Sequence, residues 1–452
     1  MKKSIILFSA VAALLLGSCS KELDIKPTQS ISEDLVFTSD ANIKAALNGA
    51  YDAVSNASLL GGDLQLYAEL LASDGEIRWD GTYNQPGEIY DKKMLTNNSY
   101  ITATWTRAYN AINICNNIIT AIDIVDEDDR DRVKGEALFL RGYMYFELVK
   151  LFSKPYSAGS PATALGLQLI TKPTIGNTSP ENFVPRKNLQ ETYDFILKDL
   201  TDAKALLPEE NEDREAYANS FVASALLSRV YLQLADYAKA RDEANRVIEE
   251  SSYSLTDTYA GAFNNTSNSS EDIFAMQITA QDGSNDMFVF WSISDYGARD
   301  GDVDVLNKHI NLYEAGDARR ALFYQDGSVY RSGKWKFQYR NLPVIRLAEM
   351  YLTRAESNFR LGTSVGATPD ADINDVIRDR VGLGPVPITL DAIIAERKLE
   401  LAHEGQTIHD VKRLKKSVDG YPYNANQLVM PIPIREINAV GSGILQQNEG
   451  YN

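Results

Sequence analysis

"NSFVASALLSRVYLQLADYAKARDEANRVIEES", residues 219–251, reads as two helices joined by a turn. Leu227, Ser228 and Tyr231 fall on the first helix, Asp236 turns the chain, and Ala240, Ala244 and Val247 fall on the second. Small residues let the two helices approach closely, while a tyrosine fills the groove between neighbours. Just upstream, "NLQETYDFILKDLTDAKALLP" (188–208) carries a complete helix signal. Asn188 can cap it, with Glu191 three residues on. Tyr193, Ile196, Leu197, Leu200, Ala203 and Leu207 form one apolar stripe, and Pro208 stops the helix.

The 219–251 pair resembles a tetratricopeptide (TPR) hairpin, and the chain repeats part of it. "ALFLRGY" (137–143) matches "ALLSRVY" (225–231) at Ala, Leu, Arg and Tyr. "VIRLAEMYLTRAESNFRLG" (344–362) has the same texture. The expectation is a mainly α-helical body, residues 34–452, built on stacked hairpins at about 104–150, 188–251 and 342–382. Irregular stretches separate the helical blocks: 73–97, 153–187, the polar loop 264–272 and the Gly-, Asp- and aromatic-rich 280–340, which holds no long helix. "DIFAMQIT" (272–279) reads as a short strand. A helical scaffold with long loops puts binding in those loops.

The 452 residues carry a formal net charge of −17, with 44% hydrophobic and 24% charged residues, as in ordinary globular protein. The N-terminus differs. Lys2 and Lys3 precede a short apolar run, Ile5 to Leu16, too short to span a bilayer, so residues 1–18 read as a secretion signal. "LGSC" (16–19) resembles the bacterial lipobox, which implies cleavage before Cys19 and its acylation. The acyl chains anchor the protein without spanning the membrane. Residues 19–33, with Pro27, read as a leash. An acidic residue soon after Cys19 resembles the surface-export signals of Bacteroidetes lipoproteins, although Lys21 intervenes. Loss of Lys2 and Lys3 with the signal takes the net charge to −19, which argues against nucleic acid or anionic lipid as ligand of the body. Cys115 then has no partner in the chain and reads as a buried thiol.

"ERKLELAHEGQTIHDVKR" (396–413) invites a catalytic or metal reading, with His403 and His409 among acidic residues. A helical zinc pair needs histidines at i and i+4. These are six apart, and Gly405 interrupts the helix. The preceding helix has a structural reading: Thr389 caps it, Asp391 sits in its first turn, Leu390, Ile394 and Leu401 form one stripe, and Ala392, Ala395, Leu399 and Ala402 lie on another side. Glu396 and Glu400, one turn apart, then need Arg397, Arg413 or another cation. No nucleophile elbow, phosphate loop or dinucleotide motif occurs in its required setting. The expectation is no enzyme, no metal and no cofactor.

In order, these segments resemble the SusD/RagB family of Bacteroidetes outer-membrane lipoproteins. The similarity runs through Cys19, "TWTRAYNAINICNNII" (104–119), "EALFLRGYMYFELVKLFSKPY" (136–156), the TPR block and "LPVIRLAEMYLTRAES" (342–357). It continues through "INDVIRDRVGL" (373–383), the 396–413 motif, "LVMPIPIREI" (428–437) and "LQQNEGY" (445–451). The resemblance implies a non-enzymatic protein on the cell surface. It would capture oligosaccharides, or in one branch peptides, and deliver them to a SusC-like TonB-dependent transporter. A TPR scaffold that only holds other proteins is the rival from another class.

A glycan site needs flat aromatic faces beside planar or charged hydrogen-bonding groups. "GEIRWDGTYN" (75–84) offers Trp79 for stacking, Tyr83 as a second wall, and Arg78, Asp80 and Asn84 for hydroxyls. The alternative is that Trp79 plugs a small core under the loop. "FWSISDYGARDGD" (290–302) offers Trp291, Tyr296 and Arg299, unless "MFVFW" is a buried strand. Trp105 and Trp335 read as packing residues.

Overall fold

The computed structural model describes residues 37–174, 183–211 and 216–451. Cys19, the signal 1–18 and the leash 19–33 lie outside them. Seven long helices follow one another as a stack among the described residues: Asp40–Ser55, Ser99–Thr120, Glu127–Phe152, Leu189–Leu206, Ser220–Gln233, Tyr237–Glu250 and Leu347–Leu361. Each packs against the next. Their starts follow from local chemistry. Asn188 forms a reciprocal capping box with Glu191, and Asn219 and Asp236 cap the two helices after it. Ala235, at φ +59°, makes the reversal before Asp236.

Helix Glu127–Phe152 is the axis of the stack and is buried on every side along its second half. Gly135 and Gly142 allow its neighbours in: a Cβ at either would come within 2.9 Å of Leu207 and 3.0 Å of Leu200. Cys115 lies in this core, where burial pushes its thiol up to about 12, so it is neutral and inert.

The arginine that recurs in the sequence has one task throughout. Arg141 forks onto Asp199 of the next helix at 2.7 and 2.8 Å. Arg229 does the same to Glu349 at 3.0 and 2.5 Å. Arg354 does it to Asp372 at 3.0 and 2.7 Å. All six groups are buried. A planar guanidinium meeting a carboxylate with two parallel bonds fixes the rotation of one helix against its neighbour.

Two small sheets sit beside the helices. Strand Asp272–Met276 pairs antiparallel with Leu342–Arg346. Ile77–Trp79 pairs with Val303–Val305, which continues to the hairpin of Phe323–Asp326 and Val329–Ser332. The "MFVFW" segment is not a strand. Asn285 accepts the Phe288 N–H at 2.8 Å and starts a short helix, Asp286–Trp291.

Helix Leu390–Glu400 is capped by Thr389 as expected, but of the apolar stripe of Leu390, Ile394 and Leu401 only Leu401 is buried. It buries Ile393, Glu396, Arg397, Leu399 and Glu400, while Ala395 is exposed. Charges can occupy that face because each is paired. Glu396 meets Arg378 and, at 2.9 Å, Arg319. Glu400 meets Arg346 at 3.3 Å. Arg397 and Arg413, the cations expected for these glutamates, instead serve Glu349, Asp410 and Glu356. The segment Ala371–Arg378 widens to a π-helical spacing, and its Asp372 and Arg378 both turn inward.

Arg346 is shared by the buried Glu271 and Glu400 and by the partly buried Glu404. Arg346→Ala leaves three carboxylates without their common cation and should cost about 3–5 kcal/mol, read from the urea midpoint at constant slope. Replacement of Arg360, a half-exposed partner of Glu356, should cost no more than about 1 kcal/mol.

Candidate functional site

Strand alternation divides the first candidate stretch. Arg78 and Trp79 are neighbours on Ile77–Trp79, so they face opposite ways. Arg78 points outward and pairs across the strands with Asp304, its register partner, with Asp80 at 3.9 Å. Trp79 turns inward and is only partly exposed. Its Nε1 donates to the Tyr83 carbonyl at 3.2 Å, and its ring meets the edge of Phe290 at 5.5 Å. A Cβ on Gly81 would come within 2.5 Å of this ring. Trp79 thus braces the loop 80–84 from beneath.

Tyr83 is the exposed ring of that loop, at 41%. It stands 6.2 Å edge-on from Phe290 and 6.3 Å from Tyr100. The Arg299 guanidinium lies 4.0 Å from its centroid. Arg299 is fixed in turn: Nε donates to Asp302 at 2.6 Å and Nη2 to the Thr82 hydroxyl at 2.9 Å. Two sequence picks 216 residues apart therefore form one surface, with Asp80 and Asn84 exposed in the same loop.

Tyr296 belongs to a second aromatic group on the same segment. It meets Tyr324 at 5.8 Å and Phe337 at 5.5 Å, both edge-on. The Lys336 ammonium lies 4.5, 4.8 and 5.5 Å from the Tyr296, Tyr324 and Phe337 rings. Phe337 is 41% exposed. Three residues separate Tyr296 from Arg299, a reach of at most about 11 Å of chain, so the two groups are adjoining.

Trp291 is the correction. It is 0% exposed and stacks on His403 with centroids 4.4 Å apart, so it offers no face to a ligand. Its neighbour Phe290 is buried too, and packs beneath Trp79 and Tyr83. Trp105 and Trp335 are core residues, and the Trp335 indole donates to the His403 carbonyl at 3.0 Å. Sequence reading missed Phe290, Tyr324, Phe337, Lys336 and Thr82. Phe337, an aromatic in a polar stretch, carried the signal applied to Tyr83.

His403 belongs to an aromatic stack with His309, not with His409. His403 lies between Trp291 and His309, with the His309 ring 4.7 Å away. His309 faces Glu76 at 3.0 Å. Burial would raise Glu76, but His309 and Lys398 outweigh it and hold the carboxyl down at about 2. Both His403 ring nitrogens are buried without hydrogen-bond partners, and burial drives its pKa well below the ordinary value. His409 is buried and shifted the same way. No group of three metal-binding side chains occurs among the described residues.

A histidine held neutral in the fold stabilises it fully above the unfolded value near 6.5, and that contribution is lost as pH falls below it. His403→Phe keeps a ring in the stack and removes the proton acceptor. Between pH 7 and pH 5 the wild type should lose about 2 kcal/mol more stability than this variant, measured by urea unfolding at each pH.

Residues 21–232 match a SusD-like family described as starch-binding and associating with the outer membrane, and residues 322–428 match the SusD family. SusD-like protein P2 of Formosa agariphila is 27% identical over the whole of both chains. A putative sugar binding protein from Bacteroides vulgatus has a similar structure, with TM-score 0.80 and 25% identity over 92% of this chain and 99% of its own. A laminarin binding SusD-like protein shares the fold, with TM-score 0.75 and 24% identity over 92% of this chain and 100% of its own. No described helix is long and apolar enough to cross a membrane.

Proposed function

Because this chain belongs to the SusD/RagB family, a family of outer-membrane-associated glycan-binding proteins, we propose that it captures an oligosaccharide at the Tyr83–Arg299 surface and delivers it to a SusC-like TonB-dependent transporter. The protein would be held at the cell surface by acylated Cys19 and would release its cargo unaltered. The observation that carries the reading is one exposed ring with a guanidinium fixed 4.0 Å from its centroid. The open ring face takes the C–H face of a sugar. Arg299 spends Nε and Nη2 on Asp302 and Thr82, which leaves Nη1 to donate to a hydroxyl. Arg78, Asp80 and Asn84 supply further polar contacts, and Tyr296 with Phe337 and Lys336 extends the surface for a longer chain. Trp79 acts from below, by holding Tyr83 in place.

Stacking and a few hydrogen bonds on an open surface give weak to moderate affinity. A glycan array run beside a peptide library identifies the ligand, and calorimetry then tests the site. Tyr83→Ala and Arg299→Ala should each weaken binding by about tenfold, since roughly 1–2 kcal/mol is lost with either partner. Trp79→Ala should weaken binding similarly. If Tyr83→Ala and Arg299→Ala both bind the identified glycan as the wild type does, the site lies elsewhere. Capture of peptides and no glycan would favour the peptide-binding branch.

A further inference from the structure

Helix Asp286–Trp291 carries Phe290, against which Trp79 and Tyr83 both pack, and it leads into Arg299. What fastens this helix to the body therefore sets the ligand surface. The Asp286 N–H donates to the Gly61 carbonyl at 2.9 Å. Gly62 passes so close that a Cβ there would come within 2.7 Å of the Met287 nitrogen. This contact brings the Asp286 carboxyl beside that of Asp63, the first residue of helix Asp63–Leu71.

Asp63 is 2% exposed. Its Oδ2 accepts from the Tyr67 hydroxyl at 2.8 Å, while its Oδ1 is buried with no donor. Asp286 is partly exposed. Among the described residues no cation balances either carboxyl. The other titratable groups facing the pair are phenols, Tyr67 from the helix of Asp63 and Tyr100 from Ser99–Thr120, and burial keeps both uncharged at neutral pH. Two ionised carboxylates side by side in a buried place repel strongly, with no cation to offset the repulsion. A proton between them removes that repulsion and supplies the donor that Oδ1 lacks.

We propose that Asp63 and Asp286 share one proton, and that this acid–carboxylate hydrogen bond is the clasp that positions Phe290 and Arg299 at the ligand surface. The two are positioning residues, and their importance for binding rests on the reading of that surface as the glycan site. The clasp itself is independent of any ligand.

The direction of its pH dependence follows from the environment. Burial pushes Asp286 up to about 6, and burial followed by the charge of Asp286 pushes Asp63 well above the ordinary range. Groups raised above their unfolded value contribute stability that is complete below that value, near 4, and is lost as pH rises through the folded values. Loss of the Asp286 proton at about 6 creates the acid–carboxylate pair, and the clasp loosens only as pH rises further and Asp63, held higher by its burial and by the Asp286 charge, loses the shared proton.

Asp286→Asn tests it, because a carboxamide donates N–H to Asp63 at every pH. The infrared difference between wild type and Asp286→Asn at pH 7 should show a protonated carboxylic acid present only in the wild type. Hydrogen exchange at the amides of 286–299, corrected for intrinsic rates, should be about tenfold faster at pH 8.5 than at pH 5 in the wild type and unchanged in the variant. Asp63→Asn, with the roles reversed, should give the same infrared loss. Identical infrared spectra, or exchange profiles that run parallel in wild type and variant, would overturn the clasp. Neither readout uses a glycan, so failure of the binding reading would leave them unaffected.

Discussion

The buried ion network around Arg346 is the constraint on which the other parts lean. Arg346 ends strand Leu342–Arg346 and starts helix Leu347–Leu361, so it joins the small sheet to the helical stack. It takes Glu271 from the paired strand region, Glu400 from the end of helix Leu390–Glu400 and Glu404 from the turn after it. Lys334 closes the group: its ammonium meets Glu404 at 2.5 Å and the carbonyls of Glu400 and Ala402 at 3.1 and 2.8 Å. Burial would raise the Glu404 carboxyl, but Arg346 and Lys334 hold it below the ordinary range. Such a network adds little net stability over an apolar core, because desolvation offsets most of the attraction. What it does supply is direction. Lys334 lies two residues before Lys336, so the segment that bears Phe337 leaves the core from a fixed point.

The same turn explains why "ERKLELAHEGQTIHDVKR" has the composition of a reactive site without being one. His403 adopts φ +63° and Gly405 φ +78°. A Cβ on Gly405 would come within 2.6 Å of the Gln65 backbone, so glycine is required there. Glu69 accepts from the Gly405 N–H at 2.9 Å and from the Thr407 hydroxyl at 2.7 Å. The acidic and basic residues are consumed by one another and by a tight backbone, and the histidines fill volume as neutral rings.

How far the sequence could be read depended on the range of the interaction. Caps at Asn188 and Thr389 are decided within four residues, and both were legible; Asn219 and Asp236 cap in the same local way but were read only as the start and the turn of a hairpin. The recurring arginine was visible as a repeat, but its partners Asp199, Glu349 and Asp372 follow from packing alone. In helix Leu390–Glu400 the need of Glu396 and Glu400 for a cation was legible, but not which one, because their partners Arg319, Arg346 and Arg378 come from other elements and are brought there by packing. The pairing of His403 with His309, 94 residues earlier, left no local trace. At the surface, Tyr83 and Arg299 were both picked while their contact was not, and Trp291 was misjudged because the short helix Asp286–Trp291 buries both Phe290 and Trp291.

The contact of Tyr83 with Arg299 also bears on how such a surface can bind and release. Arg299 is held by Asp302, Thr82 and the Tyr83 ring before any ligand arrives. Its rotamer freedom is already lost on folding, so binding does not lose it again. Tyr83 is likewise confined between Phe290, Tyr100 and the loop that Trp79 braces. A pre-ordered platform gains from each sugar contact without first having to order itself. Because the platform is open and holds few unshared donors, the total stays modest. The proposed delivery to a transporter would call for that combination, since a deep and fully satisfied pocket would bind tightly and release slowly. The net charge of −17 does not oppose this, because charges more than about 8 Å away are largely screened at physiological salt and a neutral sugar is indifferent to them.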